Sequence, residues 1–266
     1  MKCMVCAGQM GPYFTKKFNI YGLDDVEYWH CLHCGLVMSK THKVMGKKSW
    51  NVLNKKYHQS YQGTENDPND PRWILRLNEQ AEVIADLKTL GLITNAEPWV
   101  DYGCGDGKLS DLLLANYGIE VSKYDKNKHG SDYLSKVSLL KGKYGLVIST
   151  SVFEHISNAD ELGFINKLVS ESGVLAVHTF VGDMIQPDPN WFYLLPTHCT
   201  FFTNKSMQML FDIWEYQVSL YHVNSRLWFW FKNDVEKIEE TIRNANNREK
   251  KKPHYHFKRG FVDYWK

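Results

Sequence analysis

The sequence predicts an α/β protein: a doubly wound, mostly parallel sheet with a C-terminal antiparallel hairpin, and a small metal-binding ribbon ahead of it. Three observations carry this prediction. Four cysteines fall in two C-x-x-C pairs near the N-terminus, short apolar strands alternate with amphipathic segments from residue 99 onward, and two runs of period two flank a polar turn near the end.

The 266 residues are 43% hydrophobic, enough for a sizeable core, so disorder is not expected. Lys and Arg number 32 against 30 Asp and Glu, which leaves no global field drawing the chain to nucleic acid. No apolar run approaches the ~20 residues that span a bilayer. No signal-type apolar core follows the first residues. The expectation is a soluble, cytoplasmic protein.

The first element, residues 1–45, holds Cys3, Cys6, Cys31 and Cys34 as "CMVC" and "CLHC". Two such pairs 24 residues apart favour a closed tetrahedral site of four thiolates, hence structural zinc. Disulfides are disfavoured in a reducing compartment. Glycine soon after each pair lets the backbone fold over the metal. His30 and His33 read as bystanders, and Cys104 and Cys199 lack partner spacing. Within the ribbon, "YFTKKFNIYG" and "VEYWHC" read as strands separated at "LDD". So small a module needs the metal to fold.

Residues 46–72 form a polar, aromatic connector that ends in Gly, Asn, Asp and Pro. The core domain, residues 73–235, opens with a helix from Trp73 to about Gly91. It continues as strand "WVDYG", helix "KLSDLLLANYG", strand "IEVSKYD", strand "YGLVISTSVFEHI", helix "ADELGFINKLVSESG", strand "VLAVHTF" and helix "NKSMQMLFDIW". The hairpin "YQVSLYHV"/"RLWFWFKN" follows. Residues 236–266 read as a C-terminal helix and a basic, solvated tail.

The stretch "WVDYGCGDGKLSDLL", residues 99–113, lies between a strand and a helix, where doubly wound sheets bind ligands. A P-loop requires glycine where Tyr102 stands and Ser or Thr where Leu109 stands. The dinucleotide fingerprint fits Gly103 and Gly105 but meets Lys108 at its third glycine. What remains, Asp-Tyr-Gly-Cys-Gly-Asp-Gly, resembles the first motif of the class I S-adenosylmethionine-dependent methyltransferases, which have a Rossmann-like fold. The resemblance implies that Gly103, Gly105 and Gly107 let the backbone approach the aminoacyl part of the cofactor. Asp101 would help hold its amine. Asp125, ending the next strand, matches the acidic residue that grips the ribose hydroxyls, and the terminal hairpin fits the family's sheet. Two departures stand out: Gly145 replaces an acidic residue common before the fourth strand, and only about twenty residues separate Asp125 from that strand. A helix and the third strand are thus expected to be shortened or missing. Asp132 and Tyr133 are near enough to serve the adenine.

Further on, "ISTSVFEHI" and "HTFVGDMIQPDPNWFYLLPTHCTFFTNKSMQMLF" resemble the E-V-x-E-H and W-x-Y … H-x-x-F segments of a bacterial subfamily associated with sugar and surface-polysaccharide modification. That likeness implies a small-molecule or glycan acceptor, methylated on oxygen or carbon. His198 and His155 are both candidates for the general base, with the pKa range the task needs. Glu154 is a candidate to orient either one or to touch the cofactor. Trp191, Phe192 and Tyr193 are candidates for the pocket wall, and His178 for a packed or rim position. Two alternatives stay open: an RNA methyltransferase whose zinc module binds substrate, and a zinc-stabilised binding protein without catalysis.

Overall fold

The N-terminal hairpin turns on two residues. In a computed structural model describing residues 1–61, 71–248 and 254–263, β1 (Met10–Ile20) pairs antiparallel with β2 (Leu23–Cys31), Ile20 facing Leu23. Tyr21 and Gly22 between them have φ of 57° and 81°, a left-handed turn whose twist matches that of the strands. The break expected at "LDD" is therefore the start of β2, because Gly22 supplies the turn earlier. β3 (Val37–Ser39) adds antiparallel to β2, and Ser39 caps the short α1 (Lys40–Val44) by accepting from the His42 N–H.

The expected connector is helical through α2 (Lys47–Tyr61). Its polar, lysine-rich composition hides a narrow stripe, Trp50, Leu53 and Tyr57, of which the last two are buried. The loop expected at 62–70 lies outside the described residues.

The core follows as α3 (Pro71–Thr89), β4 (Trp99–Tyr102), α4 (Lys108–Tyr117), β5 (Ser122–Tyr124), α5 (Lys136–Lys141) and β6 (Tyr144–Thr150). After a 3₁₀ turn at Phe153–His155 come α6 (Ala159–Leu168), β7 (Val169–His178), β8 (Val181–Gly182), β9 (Thr200–Thr203), α7 (Asn204–Ile213), β10 (Val218–His222), β11 (Leu227–Phe231), α8 (Val235–Arg248) and β12 (Tyr255–Arg259). The seven-stranded sheet runs β12-β10-β11-β7-β6-β4-β5. Its β5/β4, β4/β6 and β6/β7 pairs are parallel, whereas β7/β11, β11/β10 and β10/β12 are antiparallel. This is the doubly wound sheet with its terminal hairpin. Among the described residues no strand lies between β5 and β6, only the six-residue α5 and a single parallel bridge from Tyr133 to Lys123, so β5 is the last strand of the sheet.

Strand alternation sorts side chains onto the two faces. Val147, Leu175, Val177, Trp228 and Trp230 join one apolar cluster, while Leu146, Ile148, Val174, Ala176 and Phe229 join the other. The helix expected through Gly173 stops at Leu168, and residues from Val169 onward extend β7 alongside β6. The described part of the tail, expected to be solvated, is docked on the sheet. Residues 255–258 pair with β10, and Tyr255, Phe261 and Val262 are buried, while His256, Lys258 and Arg259 stay exposed. Residues 249–253, with the lysine run 250–252, lie outside the described residues.

The ribbon is not closed on itself. A second sheet runs β1-β2-β3-β9-β8, so strands from residues 181–203 complete it. Val37 faces Phe201 and Met38 faces Thr200. Cys3, Cys31, Cys34, Leu36 and Met38 share one apolar cluster with Phe153, Phe202 and Met207. Residues 1–45 are thus built into the core they precede.

Candidate active site

The glycine loop leaves the carboxyl end of β4. Gly103, Gly105 and Gly107 have φ of 75°, 56° and 74°, a region that favours glycine. A Cβ on Gly103 would lie 2.6 Å from Val152 Cγ2, and one on Gly107 equally close to Lys123 Cδ. At Gly105 a Cβ would meet nothing within 4 Å, so this stretch faces open space. Asp125, just past β5, closes the loop from the side. Its Oδ2 accepts from the Gly105 N–H at 3.2 Å and its Oδ1 from the Asn127 N–H at 2.7 Å. Tyr133 Oη donates to the Gly105 carbonyl at 3.2 Å, whereas Asp132 is exposed and accepts from Ser131.

Asp101 lies beneath the loop, 2% exposed. Ser110 Oγ donates to its Oδ2 at 3.2 Å, and Oδ1 has no hydrogen-bond partner among the described residues. Burial pushes this carboxyl up to about 7; the Ser110 bond opposes the shift, Asp125 adds to it, and Lys123 opposes it weakly. A buried carboxyl with one oxygen unmatched suits a cationic ligand group.

Val152, packed on Gly103, leads directly into the turn that carries Glu154 and His155. Glu154 is 1% exposed and its two oxygens are held apart: Oε1 accepts from Tyr193 Oη at 2.7 Å and Oε2 from Thr179 Oγ1 at 3.0 Å. Burial raises its carboxyl despite both donors. His155 Nδ1 lies 2.9 Å from the Thr197 carbonyl, and His198 Nδ1 lies 2.9 Å from the Tyr193 carbonyl. A carbonyl only accepts, so each Nδ1 carries a proton. The two rings meet edge to face, centroids 4.8 Å apart, and Tyr193 packs on His198 at 4.5 Å. The Cys199 N–H donates to the Glu154 carbonyl at 2.8 Å, locking the two segments together.

A family model described as a methyltransferase domain matches residues 75–218, which include the glycine loop, Asp125 and the histidine cluster. The chain belongs to the methyltransferase family. Its activity is S-adenosylmethionine-dependent methyl transfer. No curated protein matches the methyltransferase in sequence. Solved structures resemble part of it at low identity. DesVI from Streptomyces venezuelae is 15% identical with a TM-score of 0.43, over 60% of this chain and 93% of that one. Magnesium protoporphyrin IX methyltransferase (ChlM) from Synechocystis PCC 6803, with bound SAH, is 14% identical with a TM-score of 0.43, over 67% of this chain and all of that one (100%). A SAM-dependent methyltransferase from Archaeoglobus fulgidus is 16% identical with a TM-score of 0.40, over 64% and 77%.

In the methyltransferase the four cysteines converge. Cys3 and Cys34 sulfurs are 3.6 Å apart, Cys6 and Cys31 sulfurs 3.4 Å, and all four lie within 4.8 Å of one another. Four sulfurs at ~2.3 Å from a tetrahedral ion sit roughly 3.8 Å apart, while a disulfide would need ~2.05 Å. Both loops make the same turn: Ala7 N–H donates to Cys3 O and Gly35 N–H to Cys31 O, with Ala7 and Gly35 at φ of 56° and 75°. In the first loop alanine, not the expected Gly8, takes the left-handed place. His33 is exposed and His30 stacks on Tyr13, so neither joins the cluster.

His178 is buried at the end of β7 against Ser151 Oγ. Burial, with Arg76 and Arg226 adding, pushes it down to about 3, so it stays neutral. Trp191 and Phe192 pack on Phe180, with Phe192 72% exposed at the rim. Thr179, Thr197 and Ser110 were not legible as site residues. Their roles depend on contacts 9 to 42 residues away in sequence, which leave no local pattern. Tyr193 reads as a wall from "WFY", but its hydroxyl serves Glu154.

Proposed function

We propose that the methyltransferase alkylates a sugar or related glycan acceptor, with Gly103, Gly105, Gly107, Asp101 and Asp125 holding S-adenosylmethionine and the Glu154–His155–His198 cluster serving the acceptor. One observation carries the reading. Gly103 touches Val152, and Val152 opens the turn bearing Glu154 and His155, so the donor loop adjoins the proton-handling cluster.

The cofactor supplies an electrophilic methyl on a sulfonium, which becomes a neutral thioether when the methyl leaves. The open space over Gly105 would admit its aminoacyl part, Asp101 would hold the amine, and Asp125 would take the ribose hydroxyls. Such positioning is worth ~7–11 kcal/mol. An acceptor hydroxyl gives its proton to an Nε2 of His198 or His155 as the O–C bond forms, a contribution of ~10²–10⁴-fold. Tyr193 and Thr179 fix Glu154, and the Thr197 and Tyr193 carbonyls fix the imidazole tautomers. The sugar reading is supported by the likeness of residues 148–156 and 178–211 to sugar-modifying relatives and by the aromatic wall beside the cluster.

The four cysteines hold structural zinc in this reading, since four thiolates leave no open position. A methyl-label screen over nucleotide sugars, glycan fragments and RNA tests the acceptor. Label in the sugar fractions is expected; label in RNA alone would overturn it.

A further inference from the structure

We propose that Glu154, His155 and His198 form a second metal site, for a divalent transition ion that binds the acceptor. Their ligand atoms all lie within 4.8 Å of one another, and Glu154 and His198 are buried. Each imidazole donates Nδ1–H to a backbone carbonyl, the outer contact that orients metal-binding histidines. Glu154 takes one outer hydrogen bond on each oxygen, from Tyr193 and Thr179, and each oxygen keeps a lone pair for an ion. Ligands bonded at ~2.1 Å to one ion sit about 3 Å apart, so side-chain rotations closing 1–2 Å at most (roughly) complete the site.

Two imidazoles and one carboxylate select zinc, manganese, iron or cobalt over magnesium or calcium. Three protein ligands leave positions open for an acceptor oxygen. The inference rests on the reading of this cluster as the acceptor site and, in the metal-loaded protein, replaces its general-base step. With the ion present the two imidazoles hold metal rather than the proton. The acceptor hydroxyl, acidified by coordination, passes its proton to water, and its oxygen takes the methyl. The site is distinct from the cysteine cluster in donor chemistry.

The test uses the full chain with its cysteine site loaded with zinc, titrated with Co²⁺ alone. Binding of one Co²⁺ per chain is expected, with weak d–d absorption and no thiolate-to-cobalt charge transfer. His155→Ala, His198→Ala and Glu154→Gln should each weaken it by at least ~10-fold. Absence of a second site up to millimolar Co²⁺, or unchanged affinity in all three variants, would overturn the proposal. Zinc content and S-adenosylmethionine calorimetry confirm that each variant is folded. Should His198→Ala fail to fold, the half-buried His155→Ala decides alone. Cofactor binding without cobalt binding sinks the metal site but not the methyl-transfer reading; cobalt binding without cofactor binding does the reverse.

Discussion

Lowering the pH from 8 to 6 should weaken S-adenosylmethionine binding about tenfold, and Asp101→Asn should abolish that slope. In the cofactor-free enzyme, burial holds the Asp101 carboxyl up to about 7. If the cationic amine binds the ionised form, the apparent dissociation constant scales as one plus the ratio of protonated to ionised enzyme. That factor is about 1.1 at pH 8 and about 11 at pH 6. The groups facing Asp101 are Ser110 from α4, Asp125 and Lys123. Removing the carboxylate should therefore leave a weaker but pH-flat affinity. Stability runs the other way. Between the reference value of 3.8 and about 7 the folded chain keeps a proton that the unfolded chain releases. Apo stability therefore falls as pH rises through that window, by about 4 kcal/mol in all, and flattens above it. Calorimetry at pH 6, 7 and 8, in two buffers of different ionisation enthalpy, reads both affinity and proton release. A wild-type affinity independent of pH, or a slope retained in Asp101→Asn, would refute the reasoning.

Gly105→Val should eliminate cofactor binding at a folding cost of only ~1–3 kcal/mol, since its side chain enters open space at φ of 56°; calorimetry and thermal melts separate the two effects. His198→Ala should cut turnover by ~10²–10⁴-fold while cofactor affinity stays unchanged, and full turnover in steady-state assays would remove this residue from the chemistry. Tyr193→Phe strips one of the two side-chain donors to Glu154, so kcat should fall with KM for S-adenosylmethionine unchanged. Elemental analysis should find zinc at the cysteine site, and Cys31→Ser should lose it together with activity, because the ribbon shares a sheet with the segment bearing His198.

The alternating core was legible because short apolar runs alternate with amphipathic helices in regular order, and the glycine loop because its motif is contiguous. The missing strand after Asp125 could be read from length alone. Residues 200–203 gave no such signal: "TFFT" is only four residues long, follows a long loop and joins the other sheet, so nothing local announces its pairing with β3. Likewise "YHFKR" alternates only weakly and sits beside a run of lysines, which made β12 look like tail. At the site, residue types announced candidates but not partnerships. Nothing near Glu154 in sequence indicates that Tyr193 and Thr179 will hold it, since those bonds exist only once β7 and the segment before β9 are assembled.

The sheet shared by β3 and β9 also imposes an order on synthesis. Thr200, which pairs with Met38, leaves the ribosome 162 residues after it, roughly 8–32 s at ~5–20 residues per second. For that interval the ribbon has all four thiols but an unpaired edge at β3, the kind of strand that recruits other chains. A metal captured early would close the thiol cluster against oxidation without covering that edge. Only arrival of the segment that runs from His198 into β9 does so, and cover for that edge comes with the residue proposed as the base.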